Sequence, residues 1–131
     1  LIEGSSLAKS VPEGLPRAIY YAFLISEVHP FSDGNGRISR IVMNAELSRT
    51  GDARIIIPTL FHEEYVDCQR QLTRLNEPAG FIKALILMQG WTTAFDFSNV
   101  DALIEAVKAT NALEYSRAQF KLAMPDNSLL G

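Results

Sequence analysis

Val28–Arg40, VHPFSDGNGRISR, is the stretch that decides the fold. It crowds a histidine, an acid, an asparagine between two glycines, and two arginines into one turn that opens a helix. Glycine has no Cβ and tolerates φ > 0, so Gly34, Asn35 and Gly36 let the backbone approach a ligand closely. A helix starting at Asn35 would turn its free N–H groups and positive dipole end toward an anion. Arg37 and Arg40, at i and i+3, add fixed positive charge there. Asp33 is a hard oxygen ligand of the kind Mg²⁺ takes when phosphate and water fill its other positions. His29 carries an imidazole, a group suited to the removal of a proton from a hydroxyl. The thirteen residues therefore read as phosphate-handling chemistry. An isolated D-G-N-G is usually only a turn capping a structural helix. That reading leaves His29, Phe31 and the arginine pair unexplained.

Other phosphate and metal motifs are excluded by spacing. A Walker loop needs G-K-S/T, and here Gly36 is followed by Arg37 and Ile38. An EF-hand loop opening at Asp33 would need glycine sixth and glutamate twelfth, where Ile38 and Asn44 stand.

Upstream, residues 1–14 mix glycine, serine and proline and read as a connector from an upstream segment. Leu1 rather than Met opens the chain, as expected of a piece of a longer protein. From Leu15 to Val28 the apolar spacing predicts a helix with Pro16 in its first turn, buried on most sides. It delivers His29 out of the core, with Phe31 as the anchor of the loop. Downstream, a helix over 35–50 is predicted to stop at Gly51 and to bury Ile38, Ile41, Val42 and Ala45. Residues 53–58, ARIIIP, predict a short extended link. Further helices are expected from Thr59 to Leu75, from Glu77-Pro78 through Trp91, and after a capping box at Ser98 and Asp101. A last one is expected over Ala112–Ala123. In the second of these stretches Phe81, Ile82, Leu85, Ile86, Met88 and Trp91 are expected in the core. The fold class is all-α, a compact helical bundle, with residues 15–131 as its core and C-terminal helices.

The 131 residues are enough for one domain with a real core, and the 47% apolar content is ordinary. A net charge of −3 argues against a broad nucleic-acid or membrane surface. A single cysteine, Cys68, rules out an internal disulfide and points to a reducing, cytoplasmic compartment.

The stretch resembles the Fic (Fido-domain) signature H-x-F-x-D/E-G-N-G-R-x-x-R at His29, Phe31, Asp33, Gly34, Asn35, Gly36, Arg37 and Arg40. Eight residue types at fixed spacing are far more specific than a lone G-x-G. The wider Fic-like pattern covers about Leu15 to Leu75. The resemblance implies transfer of AMP from ATP to a Ser, Thr or Tyr hydroxyl of a target protein. His29 is then the catalytic base and Asp33 the Mg²⁺ ligand. Gly34, Asn35, Gly36 and Arg37 hold the α- and β-phosphates, and Arg40 reaches the γ-phosphate. Tyr65 lies where Fic proteins often line the nucleotide pocket, with a plain packing role equally open to it. Relatives transfer phosphate or phosphocholine or remove AMP, and a non-catalytic nucleotide-binding module is a further alternative. The phosphate-transferring Doc branch departs from G-N-G-R, which this chain keeps.

The family's target-docking hairpin has no counterpart in the 28 residues before His29. Its inhibitory S/T-x-x-x-E-G/N helix is not matched either. Ser10 to Gly14 has the acid one residue too close and Pro12 in the way, and Thr110 to Glu114 is followed by Tyr115. An inhibitory segment elsewhere, or on a partner protein, is the expectation.

Overall fold

The structure, a computed structural model, describes residues 1–126, 128 and 130. It is all-helical: the described residues form six α-helices and one 3-10 turn, and no strand. Two compact units follow one another along the chain, Leu1–Arg54 and Ile55–Gly131.

The first unit holds α1 (Ile2–Ala8), α2 (Leu15–Val28) and α3 (Asn35–Thr50). The bounds of α2 and α3 are those the sequence predicts, with Pro16 in the first turn of α2 and Gly51 closing α3 in the left-handed conformation. α2 ends because Pro30 disfavours a right-handed helix at the residue before it and has no N–H to extend the ladder. His29 accordingly sits at φ 50, ψ 55. α1 is a departure, since the composition of residues 1–14 predicts a connector. Its hold is tertiary. The Tyr20 hydroxyl donates to the Gly4 carbonyl at 3.0 Å, Ala8 is fully buried, and Gly4 faces Leu24 so closely that a Cβ would overlap the leucine.

α2 and α3 run antiparallel, as their cross-links at both ends require: Ser26 meets Ser39, and the Gly14 amide meets Glu46. α2 buries Ala18, Ala22, Leu24 and Ile25, and α3 buries Asn35, Ser39, Met43, Glu46 and Leu47. The buried stripe of α3 is thus rotated from the predicted one. Ile41 is 66% exposed, Ala45 is exposed, and Ile38 and Val42 are only half-buried. Counting apolar residues misplaces the stripe because three of its members, Asn35, Ser39 and Glu46, are polar groups buried with their hydrogen-bond partners. Met43 and Leu47 supply the apolar part, about 1.5–3 kcal/mol each for full burial.

The link at residues 53–58, which runs from the first unit into the second, takes neither helix nor strand form, with Ile55 buried and Ile56 exposed. A 3-10 turn at Thr59–Phe61 leads into α4 (His62–Leu75), followed by α5 (Ala79–Thr93) and α6 (Val100–Ala109). α5 buries Phe81, Leu85, Met88 and Trp91 as expected, but Ile82 and Ile86 are exposed. α6 is capped one residue later than predicted. The Asn99 side chain accepts from the Ala102 amide at 3.0 Å, while the Ser98 amide turns to Asp96.

The helix predicted over Ala112–Ala123 does not form. Asn111 is left-handed at φ 63, and the chain after it makes long-range bonds instead. The Ala112 carbonyl accepts from Leu60, the Ala123 amide donates to Thr110, and the Ala123 carbonyl accepts from the Trp91 indole. No helix among the described residues is long and apolar enough to cross a membrane.

Glu46 is the polar keystone of the first unit. Arg49 grips its carboxylate with two bonds of 2.8 and 2.9 Å, the Gly14 amide donates to it at 3.2 Å, and Arg17 stands 4.0 Å away. Hydrogen bonding from Arg49, helped by Gly14 and Arg17, holds its carboxyl below the ordinary range even though burial opposes this. A depressed folded pKa stabilises the fold above the unfolded carboxylate value of ~4.3, and this stabilisation is lost as pH falls through the lower, folded value. Glu46→Gln should therefore cost about 1–3 kcal/mol near pH 7 and flatten the loss of stability in acid. Circular-dichroism melts between pH 7 and pH 3 check this. Parallel pH profiles for the two proteins would remove Glu46 from the account.

Candidate functional site

The loop between α2 and α3 is shaped by its own residues. Asn35, only 2% exposed, closes a ring on Phe31: its Oδ1 accepts from the Phe31 amide at 3.0 Å and its Nδ2 donates to the Phe31 carbonyl at 2.6 Å. Phe31 is fixed through its backbone, and its ring is 47% exposed rather than the core anchor expected from the sequence. Gly34 is the N-cap of α3 at φ 79, ψ 7, a conformation in which any side chain would be strained, and no side chain caps the helix. The first intrahelical bond runs from the Ile38 amide to the Gly34 carbonyl at 3.0 Å. The amides of Asn35, Gly36 and Arg37 precede it and have no acceptor within the helix.

Both motif arginines fold back toward this end, as side chains on a helix do. A Cβ on Gly34 would stand 3.4 Å from Arg37 Nη2, and one on Gly36 would stand 3.6 Å from Arg40 Nη1. Two guanidinium groups thus flank the glycines at a helix N-terminus. Among the described residues no carboxylate forms an ion pair with Arg40. Arg37 pairs with Asp33 at 3.4 Å, and both side chains are mostly in solvent, where such a pair is weak and readily exchanged for a ligand. The other Asp33 oxygen accepts from the Gly34 amide at 2.7 Å.

His29 caps α2 and is exposed. Its Nδ1 lies 3.3 Å from the Ser26 carbonyl. A carbonyl can only accept, so this bond places a proton on Nδ1, and in the neutral ring Nε2 is then the acceptor nitrogen.

The structure brings together seven of the sequence-predicted site residues, His29, Asp33, Gly34, Asn35, Gly36, Arg37 and Arg40, in one helix–loop–helix. Asn35 differs from expectation in detail, because its amide is engaged with Phe31, leaving its backbone N–H for a ligand. Tyr65 lies in the second unit, buried with its ring 5.6 Å from that of Phe81 and its hydroxyl accepting from Gln69, a packing role. One residue was missed. Arg54 joins Arg37, Arg40, Ile41, Asn44, Ala45 and Ser48 around an open groove of about 600 Å³ along α3. Its Nε donates to Ser48 Oγ at 3.1 Å, a contact made when the chain doubles back after Gly51. A second cleft of about 320 Å³, within the second unit, is lined by residues such as Trp91, Phe95 and Phe97 and carries no titratable side chain. The described residues hold no group of three or more His, Cys, Asp or Glu able to bind a metal. Cys68 is half-buried, and burial, followed by Glu64 and Asp67, pushes its thiol up, away from a reactive thiolate.

This geometry sets an uncapped helix N-terminus and two guanidinium groups beside an exposed imidazole. Residues 6–47, which contain this helix–loop–helix, match the model of the Fic/DOC family. Over a short stretch the chain is similar to curated relatives named protein adenylyltransferase Fic. It is 44% identical over 48 residues to that of Drosophila persimilis, and 44% identical over 45 residues to that of Aedes aegypti. These matches cover 37% and 34% of this chain, and 9% of each relative's length. No solved structure matches the chain.

Asn35→Ala removes both bonds to Phe31 and should cost about 1–3 kcal/mol. Hydrogen exchange at the Phe31 amide should accelerate by at least tenfold while Met43 and Leu47 stay protected. Unchanged exchange at Phe31 would show that the loop is held by something other than this ring.

Proposed function

We propose that this protein transfers AMP from ATP to a Ser, Thr or Tyr hydroxyl of a target protein. The observation that carries the reading is the pairing of an uncapped helix N-terminus, flanked by Arg37 and Arg40, with a histidine whose Nε2 is free to accept a proton. Each piece has a part in one displacement. His29 Nε2 takes the proton of the target hydroxyl as its oxygen forms a bond to the α-phosphorus. The bond from that phosphorus to the bridging oxygen breaks, and pyrophosphate leaves with the electron pair. The amides of Asn35, Gly36 and Arg37 hold the α- and β-phosphate oxygens where negative charge gathers. Arg37 faces the β-phosphate and Arg40 the γ-phosphate, which fixes the triphosphate for in-line attack.

Asp33 fits a Mg²⁺ that is otherwise bound by phosphate and water. It is a single, exposed, hard carboxylate at the loop, and no richer donor cluster stands among the described residues. Such an ion would neutralise charge on the phosphates. Arg40, without a carboxylate partner among the described residues, is open to the γ-phosphate. In this reading an inhibitory carboxylate would come from another segment or from a partner protein.

Incubation with α-³²P-ATP and γ-³²P-ATP tests the reading on the chain itself and on lysate proteins. The expected result is covalent α-label, lost by a factor of about 10²–10⁴ in His29→Ala while nucleotide binding persists. Covalent γ-label would mean phosphate transfer. ATP binding with no covalent label would leave only a nucleotide-binding module.

A further inference from the structure

We propose that Ser39 and Ser26 are positioning residues that lock the imidazole of His29 into its proton-accepting tautomer. The inference rests on the reading of His29 as general base. Ser39 is completely buried in α3, one turn beyond Asn35. Its hydroxyl donates to the Ala22 carbonyl at 2.8 Å and accepts from the Ser26 hydroxyl at 3.2 Å. Both bonds cross from α3 to α2. The Ser26 carbonyl in turn accepts from His29 Nδ1 at 3.3 Å. A continuous chain thus runs from the interior of the phosphate-facing helix, through the last turn of α2, to the ring.

Physical reasons give this chain a task beyond packing. A buried serine adds little apolar area and has a lower helix propensity than alanine, so what Ser39 contributes is directional. A hydroxyl buried without partners would be costly; here it has a donor and an acceptor on the neighbouring helix. Those bonds fix the azimuth and register of the last turn of α2 against the first turns of α3. His29 itself has no such anchorage. Its backbone N–H donates to the Ile25 carbonyl at 3.1 Å, but its ring is exposed, and among the described residues the ring's hydrogen-bond partner is the Ser26 carbonyl. If that carbonyl moves, the preference for a proton on Nδ1 goes with it. The two helices therefore share one constraint: the end that faces the phosphates also sets which nitrogen can act as base.

The test uses long-range ¹H–¹⁵N correlation of the imidazoles above their titration range, in the wild type and in Ser39→Ala, Ser26→Ala and Ser26→Thr. His62 is the other histidine, and His62→Gln assigns the signals. Wild-type His29 should show the Nδ1–H tautomer. Both alanine variants should move it toward Nε2–H, and Ser26→Thr, which keeps the hydroxyl, should restore it. In the labelling reaction the alanine variants should lose on the order of 10–10²-fold in kcat, with KM for ATP within about twofold. Ser26 is only half-buried, so its variants remain informative if Ser39→Ala does not fold. Folded alanine variants that keep His29 fully in the Nδ1–H form overturn the proposal. A wild type that transfers no AMP while the tautomer still responds to Ser39→Ala overturns the functional reading and leaves the linkage standing.

Discussion

The first unit depends on the antiparallel seam between α2 and α3, and the seam is made of two kinds of contact. Met43 and Leu47 pack against the small and branched residues of α2, which drives the helices together without fixing their register. Register comes from polar bonds at either end, Ser39 to Ala22 and Ser26 near the loop, Glu46 to Gly14 at the far side. With register set, one helix must end where the other begins. Pro30 ends α2 and the left-handed Gly34 begins α3, so a histidine and an uncapped helix N-terminus are held on the same short loop. The chemistry of the site is a consequence of how two helix ends are joined.

The same division explains what could be read from the chain. Helix ends were legible because their signals are local: Pro16, Pro30, Gly34 and Gly51 each act within a residue or two. The site was legible because its residues lie within twelve positions, from His29 to Arg40, and the loop carries its own fixing bonds. The buried face of α3 was not legible. Ser39 and Glu46 sit inside only because partners on α2 and before it satisfy them, and no count of apolar residues registers that. Ile41 and Ala45 remain outside for the same reason.

Tertiary bonding also decides the remaining misreadings. α1 forms because Gly4 can approach Leu24 and accept from Tyr20, not because its residues favour helix. The segment after Asn111 has helical spacing, but its backbone groups are taken by Leu60, Trp91 and Thr110. Of the two roles open to Tyr65 in the sequence, its burial against Phe81 fits packing. Arg54 carried no local signal, since only the turn at Gly51 brings it back beside Ser48.

Everything claimed for the site requires that phosphate bind at the start of α3. The most direct measurement is titration of the ¹⁵N-labelled protein with α,β-methylene-ATP and Mg²⁺, followed through backbone amide shifts. The account expects saturable changes concentrated at Gly34–Arg40, reduced when adenosine replaces the nucleotide. Saturable binding that leaves these amides unmoved, or shifts confined to the second unit, would contradict it.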